Sequence, residues 1–405
     1  MVAGLAAGQS IVVPDKMLEG AGIKVIQDTV TGIDAANKSV MVSGGKTYPY
    51  DKLYLATGAS PLIPPIEGRD LEGVVSLRGL SDAEEIKACI AEKAPVNIVF
   101  IGAGFISMEI ASLLVENAPR KLNISLVEFM DRPLPLMLDK DMADFVQAFV
   151  EQKGLRIFTS EKAEKLVGRD GRVTGVKLAS GKELDADMVV ISVGVQPNVE
   201  LAQQIGLEMG RFGIKVNGFQ ETSHPDILAG GDCVEKMHFI TKKPTAGRLR
   251  GPAVMQGRIA AKRLAGYEIE FPGVLDAGGC KLFDMTVTAT GLTEEAAARE
   301  GIETVCAVVD SRSRHAMIPG VKPWKIKLVF DKNKQKLIGG QIVSHEVAPA
   351  REIDAVTAFI LGGKTIPELT TFTSACNPDI SSEPSAEPIT VAAEQALQKL
   401  RAQSA

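Results

Sequence analysis

The 405-residue chain has no CxxC pair, and its five cysteines, Cys89, Cys233, Cys280, Cys306 and Cys376, have no histidine beside them at ligand spacing. A zinc site and a disulfide framework are therefore not expected, and the thiols read as buried or incidental. There is no run of basic residues either: 45 Lys and Arg stand against 50 Asp and Glu, for a net charge of −5. That balance excludes the electrostatic footprint of a nucleic-acid or anionic-membrane binder. The longest uncharged stretch is too short to span a bilayer. Met1–Pro14, "MVAGLAAGQSIVVP", lacks the basic start of a secretion signal, Lys16 being the first cation. The expected compartment is the cytoplasm. What remains is an ordinary folded composition, 45% hydrophobic and 23% charged, in a chain long enough for roughly two to four domains.

The most informative stretch present is Asn97–Asn117, "NIVFIGAGFISMEIASLLVEN". Val96–Ile101, apolar but for Asn97, is suited to a parallel strand buried on both faces. Gly102 and Gly104 permit a tight turn and close approach of the backbone to a pyrophosphate, and the helix that follows offers its N-terminal amides to the anion. Ser107 holds the place of the third glycine and is small enough for the helix to pack against the strand. The next apolar run ends in Glu128, whose carboxylate suits an adenosine ribose and repels a 2′-phosphate, favouring NADH over NADPH. Arg132 lies close by with the opposite charge. Residues 139–154 carry apolar side chains at Met142, Phe145, Val146, Phe149 and Val150 before a glycine stop, as a crossover helix does.

The chain also repeats a plan. The stretches beginning at Gly22 and at Gly154 each contain a strand, paired strands joined by polar and glycine turns, an acidic residue, and an apolar strand ending in Gly58 or Gly194 shortly before a proline. Two related dinucleotide-binding units are expected. Counted back from Gly22, the phosphate turn of the first unit falls before Met1, so the first unit is expected to be N-terminally incomplete.

Taken in order, "LYLATGASP" with Thr57 and Gly58, "GAGFISME" with Glu128, "SVGVQPN" with Gly194, "TSHPDILAGGDC" with Gly231 and Asp232, and "GRLRGPAVMQGRIAAKRLAG" resemble the flavoprotein pyridine nucleotide-disulfide oxidoreductases. The resemblance is to the branch of coenzyme A disulfide reductase, NADH oxidase and NADH peroxidase. It implies an α/β fold of two Rossmann-like domains and a C-terminal α+β dimerisation domain, divided as 1–82 and 207–273 for FAD, 83–206 for NAD(H), and 274–405 for a homodimer contact. It implies FAD and NADH as cofactors, with Asp232 holding the ribityl chain and Glu109 near the nicotinamide. Hydride would pass from NADH through the flavin to a disulfide, persulfide, peroxide, oxygen or small redox-protein acceptor. The alternative is a truncated, catalytically inactive NADH-binding or dimerising remnant. No residue matches the family's redox cysteine. The tail "SACNPDISSEPSAEPI" places Cys376 where relatives carry an aromatic residue, making it a candidate thiol, and the missing tyrosines in "HAMIPG" weigh against coenzyme A disulfide as substrate. His224, His238 and His345 read as unassigned surface histidines.

Overall fold

The computed structural model describes residues 13–92, 96–118 and 121–404. Of the Met1–Pro14 segment, residues 1–12 thus lie outside the described residues. No described helix is long and apolar enough to cross a membrane. The chain forms two compact units: one runs to Leu62 and resumes as Gly194–Val274, and the other combines Ile63–Val193 with Leu275–Ala405.

In the first unit, Val30–Asp34, Ser39–Val42 and Thr47–Pro49 make a three-stranded antiparallel sheet. Leu53–Leu55 pairs in parallel with Ile227–Ala229, a strand far away in sequence. Ala59–Pro61 pairs antiparallel with Val195–Pro197, which brings the two strand-closing segments of the repeat side by side. Ile33, Leu55, Ile227, Ala229 and Cys233 share one buried cluster beneath these strands.

The second unit begins with a five-stranded parallel sheet in the order Val74–Ser76, Met188–Ile191, Val96–Ile101, Leu122–Val127, Arg156–Phe158. The strand interiors are apolar because helices cover the sheet, as parallel strands require. A second antiparallel sheet, Ala163–Arg169, Arg172–Leu178 and Glu183–Asp185, repeats the three-stranded plan of the first unit. The C-terminal part is a five-stranded antiparallel sheet in the order Gly278–Leu282, Met285–Gly291, Leu337–Ser344, Pro323–Asp331, Thr304–Arg312. Helices Glu352–Leu361 and Pro388–Ser404 accompany it. This is the α+β pattern expected, but its core is not private. Cys280, Leu282, Phe283 and Met285 share a buried cluster with Ile98, Phe100 and Met108 of the parallel-sheet layer.

A polar staple reinforces that joint. The Lys327 ammonium, whose side chain is only 3% exposed, lies 2.9 Å from Asp141 and 3.3 Å from both Asp139 and Glu294. Asp139 exchanges two hydrogen bonds with Gln341, its amide donating at 2.9 Å and its Oδ2 accepting at 2.6 Å. Burial by itself would lower the lysine's pKa, but the bond to Asp141 and the charges of Asp139 and Glu294 outweigh it and hold it above the usual 10.5. A raised pKa makes its contribution fully present below pH 10.5 and lost as pH rises through the folded-state value. Replacing Lys327 with Met should therefore destabilise the protein by about 3–5 kcal/mol at neutral pH, because it leaves the Asp139 carboxylate buried without its counter-charge. Chemical denaturation of both forms tests this, and a loss below about 1 kcal/mol would show that the staple is dispensable.

Candidate dinucleotide sites

In the parallel sheet, Ile191, Ile101 and Val127 stand in register at the carboxyl ends of neighbouring strands. Gly102, Glu128 and Ser192 therefore emerge along one edge, where open α/β sheets bind ligands. Gly102 has φ +99°, and a Cβ there would sit 2.4 Å from the Ser192 carbonyl. The protein itself demands this glycine. Gly104 is different: its φ is −73°, and a Cβ would meet nothing within 4 Å. The open space beside that backbone is what a pyrophosphate approaching the turn would need. The helix Phe105–Asn117 starts at Gly104 as its cap and buries Ser107 completely.

Glu128 is 8% exposed and anchored at both oxygens, accepting from the Ala103 amide at 2.8 Å and the Met130 amide at 2.9 Å. Its carboxylate thus braces the glycine turn while presenting negative charge at the strand end. Arg132, read from sequence only as a nearby cation, turns away into protein contacts: its Nε donates to the Leu138 carbonyl at 2.9 Å and its Nη1 to Asp131 at 2.7 Å, and its Nη2 pairs with Glu295. Glu109 is half-buried and faces the Gly278–Leu282 strand, where its Oε1 lies 3.5 Å from the Lys281 amide. Burial, with Glu109 adding to it, pushes the neighbouring Cys280 thiol up to about 12. That thiol is inert at neutral pH.

The second set of residues lies in the other unit. Thr57 and Gly58 are knitted to Asn198: the Thr57 hydroxyl donates to its carbonyl at 2.6 Å, its side-chain amide donates to the Thr57 carbonyl at 2.9 Å, and its backbone amide donates to the Gly58 carbonyl at 2.9 Å. Gly58 has φ +70° and Gly194 φ +119°. Gly231, at φ +83°, donates its amide to Gln256 at 3.0 Å, and Asp232 follows in a single 3-10 turn. One carboxylate oxygen of Asp232, Oδ1, is buried with no hydrogen-bond partner. A buried unpaired carboxylate oxygen is costly, and a ribityl hydroxyl is a donor of the kind it lacks, so these residues fit FAD.

Sequence reasoning left two members of this set unassigned. Arg248 donates to three carbonyls, those of Val195 at 2.9 Å, Phe212 at 3.0 Å and Asp232 at 3.4 Å. Tyr54 fills the space above Gly230, where a Cβ would come within 2.0 Å of its hydroxyl, and burial pushes its phenol up to about 12. Both lay inside quoted motifs, but only the packing discloses their partners.

The surface reading of His238 requires a correction. His238 is buried, and its Nδ1 accepts from the Ile240 and Thr241 amides at 3.3 Å, capping a tight turn. His345 is half-buried with its ring edge-on to Phe149, and His224 is half-buried with Nδ1 accepting from the Asp226 amide. His238 and His224 cap local turns, and His345 packs on Phe149 with its Nδ1 3.4 Å from Asp284, contacts that no periodicity announces. Cys376 is exposed, on a loop where its Sγ lies 3.5 Å from the Ser374 carbonyl. His315 pins that loop, its amide donating to the Pro378 carbonyl at 2.9 Å and its Nε2 lying 3.0 Å from Glu383.

The two turn glycines should respond differently to alanine. Gly102→Ala should cost more than about 2 kcal/mol through the φ and the clash. Gly104→Ala should stay within about 1 kcal/mol of the parent stability yet weaken NADH binding. Thermal melts combined with nucleotide titration would decide, and equal effects on folding from both substitutions would refute the distinction.

The chain is similar to known proteins over most of its length. The family model "Pyridine nucleotide-disulphide oxidoreductase" matches residues 9–257, and the dimerisation domain of the same family matches residues 278–387. A protein of Methanocaldococcus jannaschii named NADH oxidase is 38% identical over 378 residues, covering 92% of this chain and 82% of the relative. The solved NAD-dependent persulfide reductase from A. fulgidus superposes with a TM-score of 0.92 at 33% identity, covering 99% of this chain and 75% of that one. An FAD-dependent oxidoreductase structure from Desulfovibrio vulgaris superposes with a TM-score of 0.79 at 30% identity, covering 94% of this chain and 91% of that one. The chain belongs to the pyridine nucleotide-disulphide oxidoreductase family.

Proposed function

We propose that the chain delivers electrons from NADH, by way of FAD, to a sulfur acceptor of the persulfide class. The donor half follows from family membership: the protein is an FAD-dependent oxidoreductase that uses NADH. Bound FAD supplies the two-electron relay between nicotinamide and acceptor. The chain's own residues bind and orient. The Gly102–Gly104 turn and the start of the Phe105–Asn117 helix present amides to a pyrophosphate, and Glu128 offers acceptors to ribose hydroxyls. In the other unit, the orphaned Asp232 oxygen is the observation that carries the flavin assignment.

The persulfide acceptor is supported by the A. fulgidus enzyme, which is named for that reaction and whose fold this chain shares closely. Oxygen is the second reading, favoured by the name of the Methanocaldococcus relative. An inactive remnant finds no support among relatives named for their activities. The C-terminal part is a dimerisation domain by its family match, and we read the assembly as a homodimer in the cytoplasm, a compartment that holds an NADH pool.

Anaerobic NADH addition to the purified protein should bleach a flavin absorbance, and polysulfide should then restore it faster than air does. Faster restoration by air would make oxygen the acceptor. An Asp232→Ala variant should lose flavin, its affinity falling at least about tenfold. Parent-like flavin content in that variant would remove Asp232 from the site.

A further inference from the structure

An arginine following the ribose-reading acid is the usual means by which a Rossmann unit accommodates the 2′-phosphate of NADPH. This chain has such an arginine four residues after Glu128, yet Arg132 is only 5% exposed and its guanidinium is committed elsewhere. The Leu138 carbonyl and Asp131 take two of its nitrogens, and Glu295 takes the third. Asp131 is its sequence neighbour. Glu295 comes from the C-terminal part, on the short helix Glu294–Arg299. That helix is itself placed by Asp139, whose carboxylate accepts from the Glu294 amide at 3.2 Å and lies 3.5 Å from the Glu295 amide.

We infer that Glu295 is a cofactor-specificity residue that acts through Arg132: by engaging the guanidinium, it withholds from NADPH the cation a 2′-phosphate would need. The inference rests on the reading that NADH binds at the Gly102 turn beside Glu128. Two features act together. Glu128 is fixed by two backbone amides and cannot swing aside for a phosphate. The compensating cation is sequestered by a carboxylate from a different sheet layer. Glu295 is thus a positioning residue, remote in sequence from every nucleotide motif, and preference for NADH depends on the C-terminal part being docked.

The test is equilibrium binding of NADH and NADPH, followed by nucleotide fluorescence, to the parent and to Glu128→Ala, Glu128→Ala/Glu295→Ala, and the triple variant that adds Arg132→Gln. Thermal melts accompany each, and Glu295→Gln replaces Glu295→Ala if the alanine form fails to fold. The double variant should bind NADPH about tenfold more tightly than Glu128→Ala, because a released guanidinium gains a charge-assisted bond to phosphate. The triple variant should lose that gain. NADPH affinity equal in the single and double variants, or a gain that survives Arg132→Gln, would overturn the role of Glu295 while leaving the nucleotide site intact. A parent protein that prefers NADPH would overturn the site reading as well.

Discussion

The helix Phe105–Asn117 is covered by sheet structure on two sides, and the second unit is built around that burial. Its buried residues Ser107, Met108, Ala111, Ser112 and Leu114 include small side chains that allow close approach to the parallel strands. Met108 also belongs to the cluster that takes in Cys280, Leu282 and Met285 of the antiparallel sheet. A helix apolar on several faces is stable only when more than one face is covered. The same helix begins at the glycine turn, so the element that fastens the C-terminal sheet also aims its amides at the ligand edge. The nucleotide site and the joint between the two sheet layers are therefore one mechanical object.

The two carboxylates that mark the sites differ in what they already possess. Glu128 has amide donors at both oxygens and serves first as a brace for the turn. A ribose would add to a carboxylate that is already held in place, which favours preorganisation over adaptability. Asp232 keeps one buried oxygen without a partner. Such a group lowers the stability of the empty form and returns that free energy when a donor arrives, so ligand binding and folding of that turn are linked.

Charge is distributed in the second unit with similar consequences. Lys327 and Arg132 are both nearly buried cations that bridge the segment 131–141 and the C-terminal part, Arg132 through Glu295 and Lys327 through Asp139 and Asp141. Neither is close in sequence to its partner across the joint. Because breaking one member of such a pair leaves the other charge desolvated, the segment that follows Glu128 cannot relax independently of the antiparallel sheet behind it.

The parallel strand, the glycine turn, the acid at the next strand end and the internal repeat were all legible in the sequence, because each depends on local periodicity or on a backbone angle that glycine alone adopts readily. The Val96–Ile101 strand and the positive φ of Gly102, Gly58 and Gly231 follow that rule. The bonds of Asn198 to Thr57 and Gly58, the three carbonyls around Arg248, the burial of His238 and the withdrawal of Arg132 by Glu295 were not legible. Each of the three polar contacts joins residues many positions apart, or turns an ordinary polar side chain inward. Sequence by itself determined which backbone shapes and which charges this chain possesses. Only the tertiary structure decided which of those charges remain available to a ligand, since that depends on which distant side chains reach them first.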